Sequence, residues 1–580
     1  MSYTGKCLYI DLTTKKYTIK ESDAKLQKEF IGGKGLGFAL LEQLAPNPKP
    51  LGADNPLIFV NGPFTGTKVQ TSARTTLVTK SPLTNCIHDS HCGGNFGPAL
   101  YRSGYDYIVI TGISAEPTYL YVNKDKIEFH DAKELWGKGI FYTNDHLIEK
   151  HKGKDPRVAA IGPAGENLSL ISCIGVDKHR NFGRGGVGAV MGSKKLKALV
   201  CDGDTKVSYA HEDVFKKINK DINLFVLNNP AIKFRRQKGT MKCIRGGQEN
   251  EMLPVKNFRQ VTSERFEELS SETAREVLNW KDTACFNCSI RCSKIARWDG
   301  HEIEGPEYET TAFFGLSCEV YNIKDVAYAN ELCNDLGLDT ISAGSTIAFA
   351  MECYEKGLID DWHGLELTWG NSNAQLDLLK RMVYRDNIGD IFADGTRIAS
   401  KKIGKGSEEF AINIYGMEMS GINPKGALTF AIAMSVADFA SHTRLWIAEQ
   451  EMGEDFSIDD IPNAVVEGID TINVRNSLVA CDFLPVNLDN LAELVYTITG
   501  NKYSGNDLLN IGRKISDLAR TYNLRNGRTY KDDRVPARFF KEESLAGFLR
   551  GKPISEELFN ELIQKVYALR GWDKHGVPQN

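Results

Sequence analysis

The chain has 580 residues, of which 71 are lysine or arginine and 75 aspartate or glutamate, giving a net charge of −4. With 42% hydrophobic and 25% charged residues, this balance excludes a disordered chain, a collagen, a disulfide miniprotein and a basic nucleic-acid-binding domain. Glycine is abundant at 53 residues, above the ~7% of ordinary proteins, so many tight turns or close backbone approaches are expected.

The first two hundred residues read mostly as strands. Residues 7–11 and 16–19 flank Thr13-Thr14-Lys15 as a hairpin, and 119–122 and 126–130 flank Asn123-Lys124-Asp125 as another. Residues 57–60, 75–79 and 107–111 are short apolar or β-branched runs. Glycine-rich segments punctuate them: GGKGLG at 32–37, GPFTG at 62–66, GGNFG at 93–97, GPAGEN at 162–167 and GRGGVG at 183–188. The remainder reads as helices. Asn322 is a predicted N-cap, and residues 341–354, 375–384, 507–524 and 556–569 carry apolar faces at helical spacing. The turn-rich stretch NIYGMEMSGINPKG at 413–426 is expected to divide the helical part. The predicted fold class is α+β: a β-rich domain over 1–204, then mainly helical domains over 205–412 and 413–580.

The N-terminus lacks the pattern of a signal peptide. The most apolar stretch, 426–437, is far shorter than the ~18 residues of a membrane span. A cytoplasmic protein with no membrane and no nucleic-acid partner is expected. Its thirteen cysteines, an odd count, would be reduced there.

The sharpest signal is Cys285-Phe-Asn-Cys288-Ser-Ile-Arg-Cys292. Three thiolates this close can wrap one metal centre. A cubane iron–sulfur cluster needs a distant fourth cysteine, and zinc would accept three thiolates and one further ligand. Cys318, Cys333, Cys353 and Cys481 lie later in the chain, and spacing does not choose among them. Gly183-Arg-Gly185-Gly-Val-Gly188 matches G-x-G-x-x-G, but the polar stretch 177–182 separates it from the strand predicted at 169–174. A dinucleotide loop follows its strand directly and opens a long helix. The loop still suits phosphate, because Arg180 and Arg184 bracket exposed backbone N–H groups. Cys86, His88, His91 and Cys92 offer zinc-type donors but leave little chain to wrap an ion.

Together and in this order, GPFTGTKVQTSARTTLVTKSPLT, AAIGPAGEN, HRNFGRGGVGAVMGSKKLKAL, CFNCSIRC, EGPEYE and DLGLDT resemble the aldehyde:ferredoxin oxidoreductase family of tungsten enzymes. The resemblance runs from about residue 5 to LRGWDKHGVP at 569–578. It implies a tungsten (or molybdenum) bis-pterin cradled by the β-rich domain, a Mg2+ bridging the pterin phosphates, and one [4Fe–4S] cluster. By this resemblance Cys285, Cys288, Cys292 and Cys481, the last in RNSLVACDF, hold the cluster. Arg74 and Arg180 hold phosphates, and Gly93, Gly183 and Arg184 add loop contacts. His91 and Asn181 offer backbone carbonyls to Mg2+. Asn334, Asp339, Arg444, Asn476 and Ala480 lie at pterin-contacting positions. Glu309 is the implied base, and His442 the implied donor to the substrate oxygen.

The resemblance implies oxidation of an aldehyde to a carboxylic acid, with electrons passing through the cluster to ferredoxin or another iron–sulfur carrier subunit. Two alternatives stand beside it. One is the catalytic subunit of an aromatic thioester (benzoyl-CoA type) reductase complex, and the other a non-catalytic, cluster-bearing electron-transfer subunit. The chain departs from the family where two pterin-clasping aspartates are Asn334 and Asn476, and where a lysine is Arg444. Asp335 would restore one carboxylate after a one-residue slip. Tyr328 and Glu331 stand at the E-x-x-H positions that bind a dimer-bridging iron in the family's type member, so any homodimer is expected to lack that iron.

Overall fold

The structure is a computed structural model and describes residues 3–438 and 446–579. The short apolar and β-branched runs become strands, most of them covered on both faces, with Lys16–Glu21 at a sheet edge exposed throughout. They are β1 (Lys6–Asp11), β2 (Lys16–Glu21), β3 (Leu57–Val60), β4 (Thr75–Lys80), β5 (Ile87–Cys92), β6 (Tyr107–Thr111), β7 (Thr118–Val122), β8 (Ile127–Asp131), β9 (Arg157–Ala160), β10 (Ile174–Val176), β11 (Arg180–Phe182) and β12 (Leu196–Cys201). One six-stranded sheet has the order β2-β1-β6-β3-β4-β5, the other β11-β10-β9-β12-β7-β8. Each sheet has one parallel pairing, β1 with β6 and β7 with β12.

The period-two alternation of side chains sets the layers. Leu8, Ile10, Phe59 and Ile108 of the first sheet share a core with Leu120, Val122, Ala159 and Leu199 of the second. The intervening Cys7, Ile58, Val60 and Val109 pack instead with residues of helices Gly33–Leu44 and Gly505–Arg525. The C-terminal part of the chain thus covers the back of the N-terminal sheet.

Not every glycine segment is a loop. GGKGLG opens helix Gly33–Leu44, against glycine's weak helix propensity. Packing overrides propensity here: a Cβ on Gly33 would lie 2.2 Å from the Asn476 carbonyl oxygen, and one on Gly37 2.5 Å from Val78 Cγ2. The bare helix face admits the chain that leads to Cys481. The strand expected at 169–174 lies later, at β10, and β11 runs directly into GRGGVG. Helix Val187–Ser193 follows but has only seven residues.

The predicted helices form, as Ile323–Leu336, Thr340–Glu355, Ser372–Tyr384, Gly505–Arg525 and Glu556–Arg570. Asn322 caps the first through Lys324 N at 3.0 Å. One hydrophobic core joins Leu83, Ala164 and Ile171 to residues from Met241 to Trp572, either side of 413. Among the described residues no helix is long and apolar enough to cross a membrane.

Candidate active site

The cysteine triplet lies between strands Lys281–Thr283 and Ser293–Trp298 of a small three-stranded sheet. Asn287 and Arg291 take left-handed φ of 45° and 54°, which curls the loop. The β-rich domain holds it: Phe286 N donates to Gly94 O at 3.0 Å, Thr71 N to Asn287 O at 3.1 Å, and Ser289 N to Gln70 Oε1 at 2.9 Å. Cys481 follows helix Ile461–Leu478, and its N–H reaches Thr71 Oγ1 at 3.4 Å. Thr71 therefore touches both cysteine-bearing loops.

All four cysteines line one cavity of about 320 Å³, together with Arg74, His91, Gly93, Arg180 and Asn181. Cys318, Cys333 and Cys353 are buried in the helical core instead. Among the described residues no three His, Cys, Asp or Glu side chains converge on a single ion. Four thiols around one cavity supply the four-cysteine set that a cubane cluster takes. Burial, then the neighbouring Cys481 and Cys285, push the Cys288 thiol up to about 11. Burial likewise raises Cys292, with Glu307 adding to it. Such thiols ionise when a cation shares their cavity. Gly93 gives the thiol room, since a Cβ there would stand 3.1 Å from Cys285 Sγ.

The cations beside the thiols are built in. Arg74 pairs with Asp482 at 3.1 Å. Burial opposes its charge, but Asp482 and Cys481 outweigh that and raise its pKa. Arg180 donates to Ser293 Oγ at 2.5 Å and pairs with Glu304. Burial opposes this cation too, and Cys285 with Glu304 holds its pKa above the ordinary value. Gly183, two residues beyond Asn181, has no atom within 4 Å of where a Cβ would sit. Two arginines, an open glycine and four thiols fit a phosphate-bearing cofactor beside a cluster.

Glu309 sits in the short helix Tyr308–Thr311. Its Oε2 accepts from Gly421 N at 2.9 Å, so the turn-rich stretch after 413 reaches back to this carboxyl. Burial pushes the Glu309 carboxyl up to about 7, against the Gly421 N–H and Arg184. Glu309 lines a second cavity of about 430 Å³ with Lys242, Cys243, Met252, Tyr308 and Ile422. Arg184 lies nearby, with Nε on Asp339 Oδ2 at 2.9 Å and Nη2 on the Glu418 carbonyl at 2.7 Å. Asp339 also caps helix Thr340–Glu355 through Ile341 N at 3.0 Å. One four-residue step, Arg180 to Arg184, links the thiol-lined cavity to the Glu309 region.

Asn334 accepts from Asn181 Nδ2 at 2.8 Å, whereas Asp335 accepts from Phe141 N at 2.9 Å at the start of helix Ile140–Lys150. Their side chains diverge, so no slip brings the Asp335 carboxylate to the Asn181 side. Asn476 is buried, with its backbone carbonyl against Gly33, and Ala480 is buried two residues before Asp482. His442 and Arg444 lie outside the described residues. Within β5, His88 and His91 fall on opposite faces: His88 Nε2 is 3.1 Å from Arg184 O, and His91 Nδ1 is 2.9 Å from Thr76 Oγ1. No zinc-type set forms there. Glu331 pairs with His301 Nδ1 at 2.7 Å. The sequence reading passed over Asp482, Glu304, Glu307 and Gly421. Asp482 stands inside the quoted RNSLVACDF, and Glu304 and Glu307 inside EGPEYE, but Arg74 and Arg180 lie far earlier in the chain, so no local pattern marks them.

Comparison with known proteins identifies the class. Residues 7–203 match the family model described as aldehyde ferredoxin oxidoreductase, N-terminal domain, and residues 217–580 match domains 2 and 3. The chain belongs to the aldehyde ferredoxin oxidoreductase family and is an oxidoreductase of that family. It is 33% identical to the tungsten-containing aldehyde ferredoxin oxidoreductase of Thermococcus kodakarensis, over 99% of this chain and 96% of that protein. It is 32% identical to the Pyrococcus furiosus protein of the same description, with the same coverage. Among solved structures it resembles a chain of the active site complex BamBC of benzoyl coenzyme A reductase with 1,5 dienoyl-CoA. That match has a TM-score of 0.85 and 25% identity, covering 100% of this chain and 96% of that one.

Proposed function

We propose that the protein is a tungsten (or molybdenum) bis-pterin iron–sulfur oxidoreductase that oxidises an aldehyde to a carboxylic acid. Electrons leave singly through a [4Fe–4S] cluster to ferredoxin or another iron–sulfur carrier. The carrying observation is the loop from Arg180 to Arg184, whose first arginine lines the four-cysteine cavity and whose last sits beside Glu309. Electron-holding and proton-accepting groups thus share one support.

In this reading Cys285, Cys288, Cys292 and Cys481 hold the cluster. Arg74, Arg180 and the Gly183 loop neutralise and orient the pterin phosphates, and the His91 and Asn181 carbonyls serve Mg2+. When bound, the metal–pterin group supplies the two-electron redox centre and polarises the carbonyl. Glu309 takes up the proton released as the acid forms, and its pKa near 7 suits that role at neutral pH. Met252 and Ile422 give the cavity it faces an apolar wall. Domain limits at 204/205 and 412/413 belong to the same proposal, as does a homodimer without iron at Tyr328 and Glu331.

A second reading, the catalytic subunit of an aromatic thioester reductase, is favoured by Asn334. This neutral side chain meets Asn181 where the family resemblance implies a carboxylate, and removing a charge beside a redox centre shifts its potential. Anaerobic purification with elemental analysis, followed by viologen-linked assays on aldehydes and on benzoyl-CoA, separates the two. About four irons with one tungsten per chain and aldehyde turnover support the first. The same metals with thioester turnover alone support the second.

A further inference from the structure

Helices Glu212–Asn228 and Pro230–Lys238 meet at an elbow whose outer surface is unusually apolar. Leu224, Phe225, Leu227 and Phe234 are each 43–50% exposed. Together they offer roughly 350 Å² of apolar surface, taking about 200 Å² per large side chain. A patch of that size on one chain commonly marks an interaction site. It is far below an obligate interface and suits a transient electron-transfer encounter.

The elbow is also basic in a chain whose net charge is −4. From Ile222 to Gln248 there is no acidic residue, while Lys233, Arg235, Arg236 and Lys238 fall on the elbow and Lys242 and Arg245 on the helix after it. Lys238 and Arg245 pair with Glu272 and Glu267. Asp221 lies just before the span, and Glu212 and Asp213 stand at the far end of the first helix.

The inner side of the elbow touches the cluster loops. Val226 and Ile232 belong to the packed group that holds Cys288, Cys292 and Phe483. The Arg235 guanidinium stacks 3.9 Å from the Phe483 ring centroid, and Arg236 Nη2 donates to Ser289 O at 2.7 Å. A carrier seated on the elbow is therefore about one helix diameter, roughly 10 Å, from the cysteine loop.

We propose that this elbow is the docking surface for a small acidic iron–sulfur carrier protein that collects electrons from the four-cysteine site. The inference rests on the function proposed above and adds where the carrier binds and what charge it bears. A second copy of this chain does not fit, because two basic elbows repel. Opposite charge steers the encounter, and the apolar centre gives it contact.

The test uses the holoenzyme and its Lys233→Glu, Phe234→Ser and doubly substituted variants. An acidic [4Fe–4S] ferredoxin and methyl viologen serve as alternative acceptors at fixed aldehyde. Each single variant is expected to raise KM for ferredoxin about tenfold and the double variant more, with a shallower salt dependence for Lys233→Glu. Turnover with viologen stays unchanged. Glu264→Lys, in a separate surface groove, leaves both acceptors unaffected. An unchanged ferredoxin KM in the double variant overturns the docking proposal. So does a change in self-association, by sedimentation, without a change in ferredoxin affinity. Absence of viologen-linked aldehyde turnover in the wild type would instead remove the proposed reaction. Calorimetric titration with oxidised ferredoxin then still reads the elbow.

Discussion

Glu309 gives the most direct check on the chemistry. Burial lifts its carboxyl from an ordinary 4.5 to about 7, which corresponds to about 3 kcal/mol disfavouring the charged form. The folded chain keeps this proton over a range where the unfolded chain has lost it. The group's contribution to stability is therefore full below about pH 4.5 and declines as pH rises to about 7. As a base it must be ionised, so kcat/KM for aldehyde oxidation should fall tenfold per pH unit below 7 and level off above it. Glu309→Gln keeps the size of the side chain and can still accept from Gly421 N. It should lower the rate at pH 8 by about 10² to 10⁴ and abolish the acidic limb. The same variant should match the wild type in urea unfolding at pH 4.5 and exceed it at pH 8. A viologen-coupled assay from pH 5.5 to 8.5, on samples matched for iron and tungsten, reads the kinetics. The reasoning is refuted if the glutamine variant retains the wild-type rate within tenfold and the same pH limb.

Four further outcomes are expected. Cys481→Ser should lower bound iron and the cluster's electron paramagnetic signal, whereas Cys318→Ser, altering a thiol of the helical core, should leave both intact. Arg184→Met strands the buried Asp339 carboxylate and should cost about 3–5 kcal/mol in denaturant unfolding, with lysine restoring only part because it lacks the planar fork. Gly185→Ala should destabilise by about 2 kcal/mol or more, because its φ is +83° and the added Cβ would lie 2.3 Å from the His88 ring. Gly183→Ala, which meets no atom within 4 Å, should unfold like the wild type yet retain less molybdenum or tungsten.

Local signals were legible where chemistry or periodicity is written in adjacent residues. The triplet at 285–292, the apolar faces at 507–524 and 556–569, and the alternating strands could all be read directly. What could not be read was long-range. Spacing does not distinguish Cys481 from Cys333 or Cys353; only the resemblance of RNSLVACDF to the family singles it out, and its N–H on Thr71, 410 residues away, places it with the triplet's loop. The glycines of 32–37 read only as punctuation among strands, because what requires them in a helix is the distant carbonyl of Asn476 packed against Gly33. The polar stretch before GRGGVG hid β11, since the burial that makes Arg180–Phe182 a strand comes from its partner β10.

The placement of Cys481 has a consequence for how the protein is made. At the ~5–20 residues per second of translation, Cys481 leaves the ribosome roughly 10 to 40 seconds after Cys292. Throughout that interval the nascent chain presents three closely spaced thiols and no fourth. Three thiolates and one further donor are enough to capture stray zinc, while the cubane proposed above still lacks its fourth ligand. Under the proposed function, cluster delivery is expected to follow release of the full chain.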